Sequence, residues 1–331
     1  MIGASSPAPA TASGYDDAHE LEAEGSVGWL RVWRHLRTDP AFWVGAVMIV
    51  SITAGALFAD LAPYDPNHQI RGRGLVDGRP QPPSAEFLLG TDRLGRDYFS
   101  RLLHGARTSL IVGVGATAAA TLVGAAVGSI AAFVGSPRVW TRIGRRSFSF
   151  VLPVEGLLMR FTDVVLSLPA LLVAILLVAI IGPSMGLVLL VIAGILWTST
   201  ARIAYSRVRQ ITSLEFVEAA WSLGLTRTAI LIRHVLPHTV SLLVVYATLG
   251  IAAAVLLEAG LSFLGIGVPP PAASWGGMIT EHASYYRTDP RLVMVPGFAI
   301  MATVLAFNLV GDALRDAMDP RGSDVRAGGQ K

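Results

Sequence analysis

The sequence contains no cysteine, and its only lysine is Lys331, the final residue. Without cysteine there is no disulfide framework, no thiolate nucleophile and no cysteine-based metal or iron–sulfur site. Without an internal lysine there is no G-x-x-x-x-G-K-[ST] loop to hold the phosphates of ATP, and no lysine Schiff base in the core. We therefore expect no cofactor in this chain. If ATP drives its work, another subunit must bind it.

Charge is scarce as well. Only 15% of the residues are charged, whereas an ordinary soluble domain carries about 25%. With 53% hydrophobic residues and a mean hydropathy of +0.56, the composition is typical of a polytopic membrane protein. The net charge of +3 does not suggest a nucleic-acid-binding protein.

Histidines offer no catalytic constellation, because the seven are scattered over tails and loops. Only His234 and His238 have the i, i+4 spacing that can bind a metal. Pro237 lies between them and no third ligand is evident, so the sequence predicts neither a metal site nor a catalytic site.

Six apolar runs have about the twenty residues that cross a bilayer. They lie at about Phe42–Leu61, Ser109–Val134, Val164–Ile181, Leu187–Ile203, Val240–Leu264 and Val293–Gly311. The predicted fold is therefore all-α, a polytopic membrane protein with six transmembrane helices. Six crossings put both termini on one side of the membrane.

The distribution of basic residues favours cytoplasmic termini. With that orientation, the inside segments hold seventeen basic residues and the outside segments nine. The external loop 62–107 alone holds seven of the nine, so the bias is not uniform. Ahead of the first run, residues 1–26 have the composition of a disordered tail. Trp29–Arg37 interleaves tryptophans with cations and predicts an interfacial amphipathic helix.

A polar, arginine-bearing stretch separates the fourth and fifth apolar runs, and residues 213–237 are called the polar segment below. Thr212 and Glu215 have the T-x-x-E spacing of a capping box, which predicts a helix from Ser213. Gly224 is suited to end that helix, because glycine leaves the right-handed region at little cost.

The second half of the polar segment has helix signals of its own. Thr226 can cap a short second helix, and Pro237 follows its predicted last turn. Two short helices on a rigid turn are suited to docking into a groove of another protein.

The polar segment resembles the EAA loop of ABC importer permeases, which in that family inserts into the ATPase subunit. One position departs from the general pattern, since His234 stands where an apolar residue is usual. The resemblance implies an ATPase-coupling role for Glu215, Glu218, Ala219, Ala220, Gly224, Leu236 and Pro237.

A second block, Leu89–Arg107, resembles the L-G-T-D-x-L-G-R-D-x-x-S-R-L-x-x-G-A-R segment of the dipeptide, oligopeptide and nickel branch of those permeases. Asp92, Arg96 and Ser100 share an i, i+4 row there. That row predicts an amphipathic helix lying on the outer membrane surface. Asp92 and Arg96 are expected to form an exposed structural pair, contributing under about 1 kcal/mol.

Glu258 is the one acid well inside an apolar run, and it must face the bundle interior, face a wet cavity or be protonated. Two roles stay open for it, a pathway or gate residue and a buried hydrogen bond between helices. Ser262, Asp163 and Ser167 are candidates for the same two roles. Pro169 frees a backbone carbonyl and can kink the third helix.

Helix packing is expected at two further places. Gly124-x-x-x-Gly128 lets another helix approach closely, either within the bundle or from a partner permease. Asn308 and Asp312 share one helix face, where we expect polar contacts between helices rather than substrate ligands.

The family resemblance implies a type I ABC importer permease in the bacterial cytoplasmic membrane, supplying half of the path for peptides. Implied partners are a second homologous permease, two ATPases that bind ATP and Mg²⁺, an extracytoplasmic binding protein and membrane lipid, with no nucleic acid. Nickel or another small solute remains an alternative cargo, and an ion-coupled secondary transporter an alternative class. The expected divisions are a tail (1–40), a first helix with its external loop (41–107), a permease core (108–315) containing the coupling loop 213–237, and a second tail (316–331).

Overall fold

The computed structural model describes residues 29–135, 138–143 and 146–318. Its helices are α1 Trp29–Thr38, α2 Pro40–Leu57, α3 Tyr98–Val134, α4 Val154–Ser167, α5 Ala170–Ile181, α6 Met185–Thr212, α7 Glu215–Ser222, α8 Arg227–Ile230, α9 Leu236–Phe263, α10 Trp275–Glu281 and α11 Arg291–Met318. The expected disorder of residues 1–26 lies outside the described residues, as does the tail after residue 318.

Five helical stretches are long and apolar enough to cross a membrane: α2, α3, α6, α8 continued into α9, and α11. Helices α4 and α5 pass the same test only together, and they are bent by 82° at the break between them. The predicted kink of the third apolar run at Pro169 is confirmed, but it is a full break rather than a bend within one helix over 164–181. Pro169 lacks the N–H that would continue the helix, and Leu168 before it takes an extended conformation with ψ 133°.

The bent pair still counts as one crossing, because α3 and α6 run parallel. A Cβ atom on Gly124 would lie 2.6 Å from the carbonyl oxygen of Trp197, and one on Gly128 would lie 2.2 Å from that of Ala201. Residues later in α3 thus meet residues later in α6, and only glycine allows backbones this close. The chain between them must return from one end of the bundle to the other, which favours counting the bent pair as the sixth crossing among the described residues.

Both ends of the described chain lie at the same end of the bundle as the polar segment. Gly45, early in α2, packs against Ala306, Leu309 and Val310 in the second half of α11. Helix α1 buries Val32 and Leu36 against α11 and leaves Trp33 52% exposed. A helix is therefore present where the sequence predicts one, and it covers the polar-segment end of α11, while its placement at the membrane interface stays a prediction.

The predicted surface helix over Leu89–Arg107 is wrong in its first half. Residues 92–96 form a tight turn closed by an isolated bridge between Thr91 and Asp97. Helix α3 begins only at Tyr98, where the Asp97 carboxylate caps it by accepting from the N–H of Ser100 at 2.8 Å. It then continues without a break into the second crossing.

Two small antiparallel pairs depart from the all-α prediction, which holds for the membrane-crossing part. Strands β1 (Leu75–Val76) and β2 (Arg79–Pro80) lie in the loop before α3. Strands β3 (Arg138–Ile143) and β4 (Arg146–Val151) form a hairpin between α3 and α4.

Candidate functional site

The polar segment forms a helix, a tight turn and a second helix. Helix α7 ends before Gly224, which has a φ of +78°, and the N–H of Leu225 closes the turn on the carbonyl of Ala220 at 3.3 Å. Thr226 caps α8 by accepting from the N–H of Ala229 at 3.3 Å. The predicted turn at Gly224 and cap at Thr226 are confirmed.

The capping box at the start of the polar segment is wrong. Helix α6 continues to Thr212, whose hydroxyl donates to the carbonyl of Arg209 at 2.9 Å, so it does not cap the next helix. Helix α7 begins at Glu215 rather than Ser213. Only two residues separate α6 from α7, which leaves Thr212 inside the earlier helix.

Pro237 does not follow the end of the second helix. Helix α8 passes through a π-helical turn, Leu231–Val235, directly into α9, and Pro237 lies in the first turn of α9. Proline is well tolerated there because a first-turn N–H has no partner within the helix. The second helix of the polar segment, α8, is therefore the start of a membrane-crossing helix.

The polar segment packs against the helical bundle. Its buried residues Val217, Ala220, Ile230 and Val235 form one apolar cluster with Ala132, Val208 and Ile211 of α3 and α6. Trp221 also stacks on Phe133 with ring centroids 6.1 Å apart. The tip points away from the bundle, since Gly224 is exposed and Leu223 is 80% exposed.

The residues that the EAA resemblance selects divide into two groups. Ala220 is buried in the apolar cluster with α3 and α6, and Leu236 is half-buried, so these two residues hold the polar segment against the bundle. The exposed members are Glu215, Glu218, Ala219, Gly224 and Pro237. Exposed residues held on a rigid support in this way can be recognised by a partner protein.

Glu258 lies in the opposite half of the bundle and is fully buried. The hydroxyl of Ser262 donates to its Oε1 at 2.8 Å, and the hydroxyl of Ser109 donates to its Oε2 at 3.2 Å. Ser109 in turn accepts from the N–H of Trp275 at 3.3 Å. Glu258 therefore joins α9, α3 and α10, which supports the buried hydrogen-bond role over the pathway role.

The other polar candidates lie elsewhere. Asp163 is 55% exposed and pairs with Arg202 of α6, while Ser167 donates within its own helix. On α11, Asn308 is half-buried and Asp312 is exposed. The structure brings Glu258 and Ser262 together and leaves the rest apart.

A second cluster, made of charged residues, is buried in the same half of the bundle as Glu258. The prediction that its Asp92–Arg96 pair is exposed is wrong. Arg96 binds Asp92 at 2.6 Å, as the spacing suggests, but Asp92 is fully buried and Arg96 is nearly so. Arg96 and the fully buried Arg101 also bind Glu281, at 2.8 and 3.0 Å. Helix α10 covers the pair that sequence spacing presents as exposed.

His282 adjoins this cluster and is also fully buried. Its Nδ1 lies 2.7 Å from the carbonyl of Met278, so this nitrogen carries the proton. Burial lowers the pKa of His282, a shift that nearby Asp92 and Glu281 oppose. Ligand atoms of these three residues lie within 4.8 Å of one another, but two guanidiniums already neutralise the carboxylates, so the set does not favour a cation.

Arg291, at the start of α11, fixes the loop before α3. Its guanidinium donates to the carbonyls of Gln81 at 3.2 Å, Leu89, and Thr91 at 3.4 Å. Each of these contacts of Arg291, and each contact of Glu281 with Arg96 or Arg101, joins residues that are 180 or more positions apart in the sequence. Local sequence patterns could not reveal them. The only signal was the excess of arginine in a loop expected to be external.

Comparisons with known proteins agree with this architecture. A family model described as the binding-protein-dependent transport system inner membrane component matches residues 124–323. The N-terminal transmembrane domain of oligopeptide transport permease C matches residues 29–83.

Individual relatives match over most of the chain. The dipeptide transport system permease protein DppC of Alkalihalophilus pseudofirmus is 35% identical over 299 residues, covering 88% of this chain and 90% of its own length. The glutathione transport system permease protein GsiD of Escherichia coli O157:H7 is 35% identical over 294 residues, with the same coverage. A chain of the MetNI methionine ABC transporter, solved in inward-facing conformations, aligns with a TM-score of 0.52 at 17% identity. The alignment covers 66% of this chain and 96% of that one.

Proposed function

Because the chain belongs to the family of binding-protein-dependent transport system inner membrane components, we propose that it supplies half of the translocation path of a peptide importer. Membership makes it an ABC importer permease, a multi-pass protein of the inner membrane. The ion-coupled class considered from the sequence is thereby set aside. The coupling mechanism, the partners and the cargo are the proposed parts.

One observation carries the coupling proposal, the continuity of α8 with α9 behind an exposed tip. A partner ATPase that grips Gly224 and its neighbours would move α8, and α9 would follow because no loop separates them. Helix α7 packs against α3 and α6, so a movement of the bound polar segment would also displace those helices. ATP-driven closure would then shift the bundle between two states.

The partner proposal follows from what this chain contains and lacks. Without a P-loop lysine, ATP and Mg²⁺ are held by two separate ATPases docked at the polar-segment end. Each permease supplies half the path, so a second homologous permease completes it, and an extracytoplasmic binding protein delivers cargo. The sequence segments expected on the inside hold seventeen of the basic residues, which supports cytoplasmic termini. Lipid surrounds the bundle, and no nucleic acid is involved.

Peptides are the proposed cargo, because relatives of equal identity are named for dipeptides and glutathione. Nickel or another small solute is the second candidate on the same scaffold. Uptake of a labelled dipeptide, glutathione and Ni²⁺ should be compared in proteoliposomes holding the complete importer with its binding protein. Uptake of Ni²⁺ without peptide would reject the peptide assignment.

Gly224→Trp tests the coupling surface. A Cβ on Gly224 meets no described atom within 4 Å, so the tryptophan adds backbone strain at φ +78° but no clash within the described residues, and its ring projects towards a partner. Gly182→Trp is the matched control, because Gly182 also has a positive φ (+91°) and open space but lies at the opposite end of the bundle.

We expect Gly224→Trp to lower transport and substrate-stimulated ATP hydrolysis at least about tenfold, a loss of roughly 1.4 kcal/mol or more in productive docking. The Gly182→Trp importer should stay near the wild-type rate. Normal coupled transport by the Gly224→Trp importer would reject the coupling role of the polar segment.

A further inference from the structure

Helix α4 is joined to α6 by polar contacts near both of its ends. Near its end, Asp163 forms an ion pair with Arg202 of α6. Near its start, Glu155 accepts from the hydroxyl of Tyr205 and pairs with Arg209 at 3.4 Å. The contacts follow opposite orders along the two helices, so α4 lies antiparallel to the half of α6 that leads into the polar segment.

This part of the chain forms one packed unit with the polar segment. The N–H of Glu155 donates to the carbonyl of Gly135, directly after α3, at 3.1 Å. Helices α3 and α6 approach closely at Gly124 and Gly128, and the polar segment packs on both helices. Only two residues separate α6 from α7. A displacement of the polar segment therefore reaches α4 through α6 and the polar contacts between them.

Helix α5 is held in a different way. All twelve of its side chains are apolar, so none of them forms a hydrogen bond or an ion pair with α6. Against the described part of the chain, Ala174 is the one residue of α5 that is buried. It packs with Leu187 and Val188 near the start of α6, away from the polar segment. Apolar contacts are non-directional, so α5 can shift along α6 without breaking a polar contact.

A cavity of about 170 Å³ lies between the bent pair and α6. Its lining is almost entirely apolar and comes from both sides, including Leu168 and Val173 of the bent pair and Val191 and Gly194 of α6. The cavity adjoins the 82° break between α4 and α5. Protein interiors are otherwise closely packed, so this space allows the angle at the break to change.

We propose that Asp163, Glu155 and their partners on α6 are positioning residues for coupling, which make α4 move with the polar segment while α5 changes its angle at the break. The inference rests on the proposed function, because it supplies a route from a docked ATPase to the interior of the bundle. Asp163 and Arg202 are both 55% exposed, and exposed pairs contribute little to folding. Coupling is therefore the property that their loss should change.

Charge reversal distinguishes a positioning role from a stabilising one. Arg202→Asp and Asp163→Arg each bring like charges together. In proteoliposomes holding the complete importer, each should lower the cargo moved per ATP hydrolysed at least about fivefold. The double variant restores an opposite pair and should recover most of the parent ratio. Unfolding temperatures should stay near the parent value.

Arg73→Glu is the matched control for the reversals. It reverses one charge of the exposed pair between Arg73 and Glu86, which lies in the loop before α3. That pair joins neither α4 nor α6, so the ratio of cargo to ATP should stay at the parent value.

Pairs of introduced cysteines test which helices move. The chain has no cysteine of its own, so within it a short bifunctional thiol reagent joins only the introduced pair. Asp163→Cys with Arg202→Cys removes the ion pair, and linking the two thiols should restore the parent ratio. Val173→Cys with Gly194→Cys lies across the cavity, and linking should stop transport. The parent importer treated with the same reagent is the control.

Three results would overturn the proposal. Transport that stops when α4 is linked to α6 would mean that these helices separate during the cycle. Transport that continues when α5 is linked across the cavity would mean that the angle at the break does not change. Reversals that lower transport and ATP hydrolysis equally, without recovery in the double variant, would leave only a structural role. A parent importer without ATP-driven uptake would reject the proposed function and the inference with it, whereas any of the three results in an active parent rejects the inference alone.

Discussion

Glu258 shows at the scale of one residue how a buried carboxyl is held in an apolar helix. It is fully buried, and both carboxyl oxygens have hydroxyl partners, Ser262 on its own helix and Ser109 on α3. An unpaired polar group at such a site costs roughly 1–3 kcal/mol. The interaction therefore stabilises the contact between α3, α9 and α10.

Replacing Glu258 with alanine should lower the stability of the bundle by about 2–4 kcal/mol, because it leaves two buried hydroxyls unpaired and opens a cavity. Glu258→Gln keeps the volume and can still meet both hydroxyls, so it should lose much less. Thermal unfolding of the purified chain in detergent measures the difference. Equal losses in the two variants would mean that the hydrogen bonds contribute nothing.

The sequence indicates the burial of Glu258 but only part of its surroundings. A lone acid inside an apolar run has to be enclosed, and Ser262 one turn later is a visible partner. Ser109 lies 149 positions earlier, and only the packed bundle brings it near. The error over Asp92 and Arg96 has the same cause, since spacing reveals a pair but not the helix that covers it.

The loop before α3 illustrates the next scale, because buried ion pairs rather than apolar packing alone fix an element in place. Arg101→Leu leaves Glu281 with one guanidinium fewer inside the protein, and breaking a buried pair of this kind costs about 3–5 kcal/mol. The expected result is a lower unfolding temperature and faster hydrogen exchange over residues 89–97.

Arg73→Leu is the control for that experiment. Arg73 belongs to the same loop and pairs with Glu86 at 3.0 Å, but the two side chains are 71% and 42% exposed. An exposed pair contributes about 0–1 kcal/mol, so stability and exchange should barely change. If Arg73→Leu proved as damaging as Arg101→Leu, burial would not be the cause.

The same cluster makes the element sensitive to pH. Burial lowers the pKa of His282, so the folded protein binds a proton less readily than the unfolded chain does. The contribution of His282 to the free energy of unfolding is complete above the pKa of histidine in the unfolded chain, about 6.5. It declines as the pH falls from there towards the lowered pKa of the folded protein. The unfolding temperature should decrease between about pH 7 and pH 5.

His282→Gln should flatten that decline, because glutamine does not titrate. His68→Gln changes an exposed histidine of the loop before α3 and should leave the wild-type slope intact. Unfolding temperatures measured across the same pH range give the comparison. An unchanged slope in His282→Gln would show that other groups set the pH dependence.

Local signals predicted where elements break better than where they continue. Pro169 and Gly224 marked a kink and a turn, because each residue restricts or frees its own backbone. The passage of α8 through a π turn into α9 had no such marker, and Pro237 suggested an end instead of a beginning. Continuity depends on tertiary support from the cluster around Ile230 and Val235.

The arginine count left one uncertainty at the scale of the whole molecule, since the loop 62–107 holds seven arginines where few are expected outside. The structure removes much of the conflict. Arg96 and Arg101 are neutralised by the buried carboxylates, and Arg107 pairs with Asp60 at 2.9 Å. Burial of this kind is a tertiary property, which a count of residues does not contain.

The number of crossings then rests on the bent pair α4–α5. If the pair crosses, the polar segment and the loop before α3 lie on opposite sides of the membrane. If it is a re-entrant hairpin, α6 begins on the side where α3 ended, and both regions lie on the same side. The parallel packing of α3 and α6 through Gly124 and Gly128 favours a crossing.

Single cysteines in this cysteine-free chain decide the question. Val76→Cys reports on the loop before α3, and Leu223→Cys reports on the tip of the polar segment; the two native side chains are 56% and 80% exposed. An impermeant thiol reagent should label Val76→Cys only in intact cells and Leu223→Cys only in inside-out vesicles made without the ATPases. Labelling of both from one side would mean that the pair does not cross, and labelling of both in intact cells would also put the proposed docking surface out of reach of any cytoplasmic ATPase.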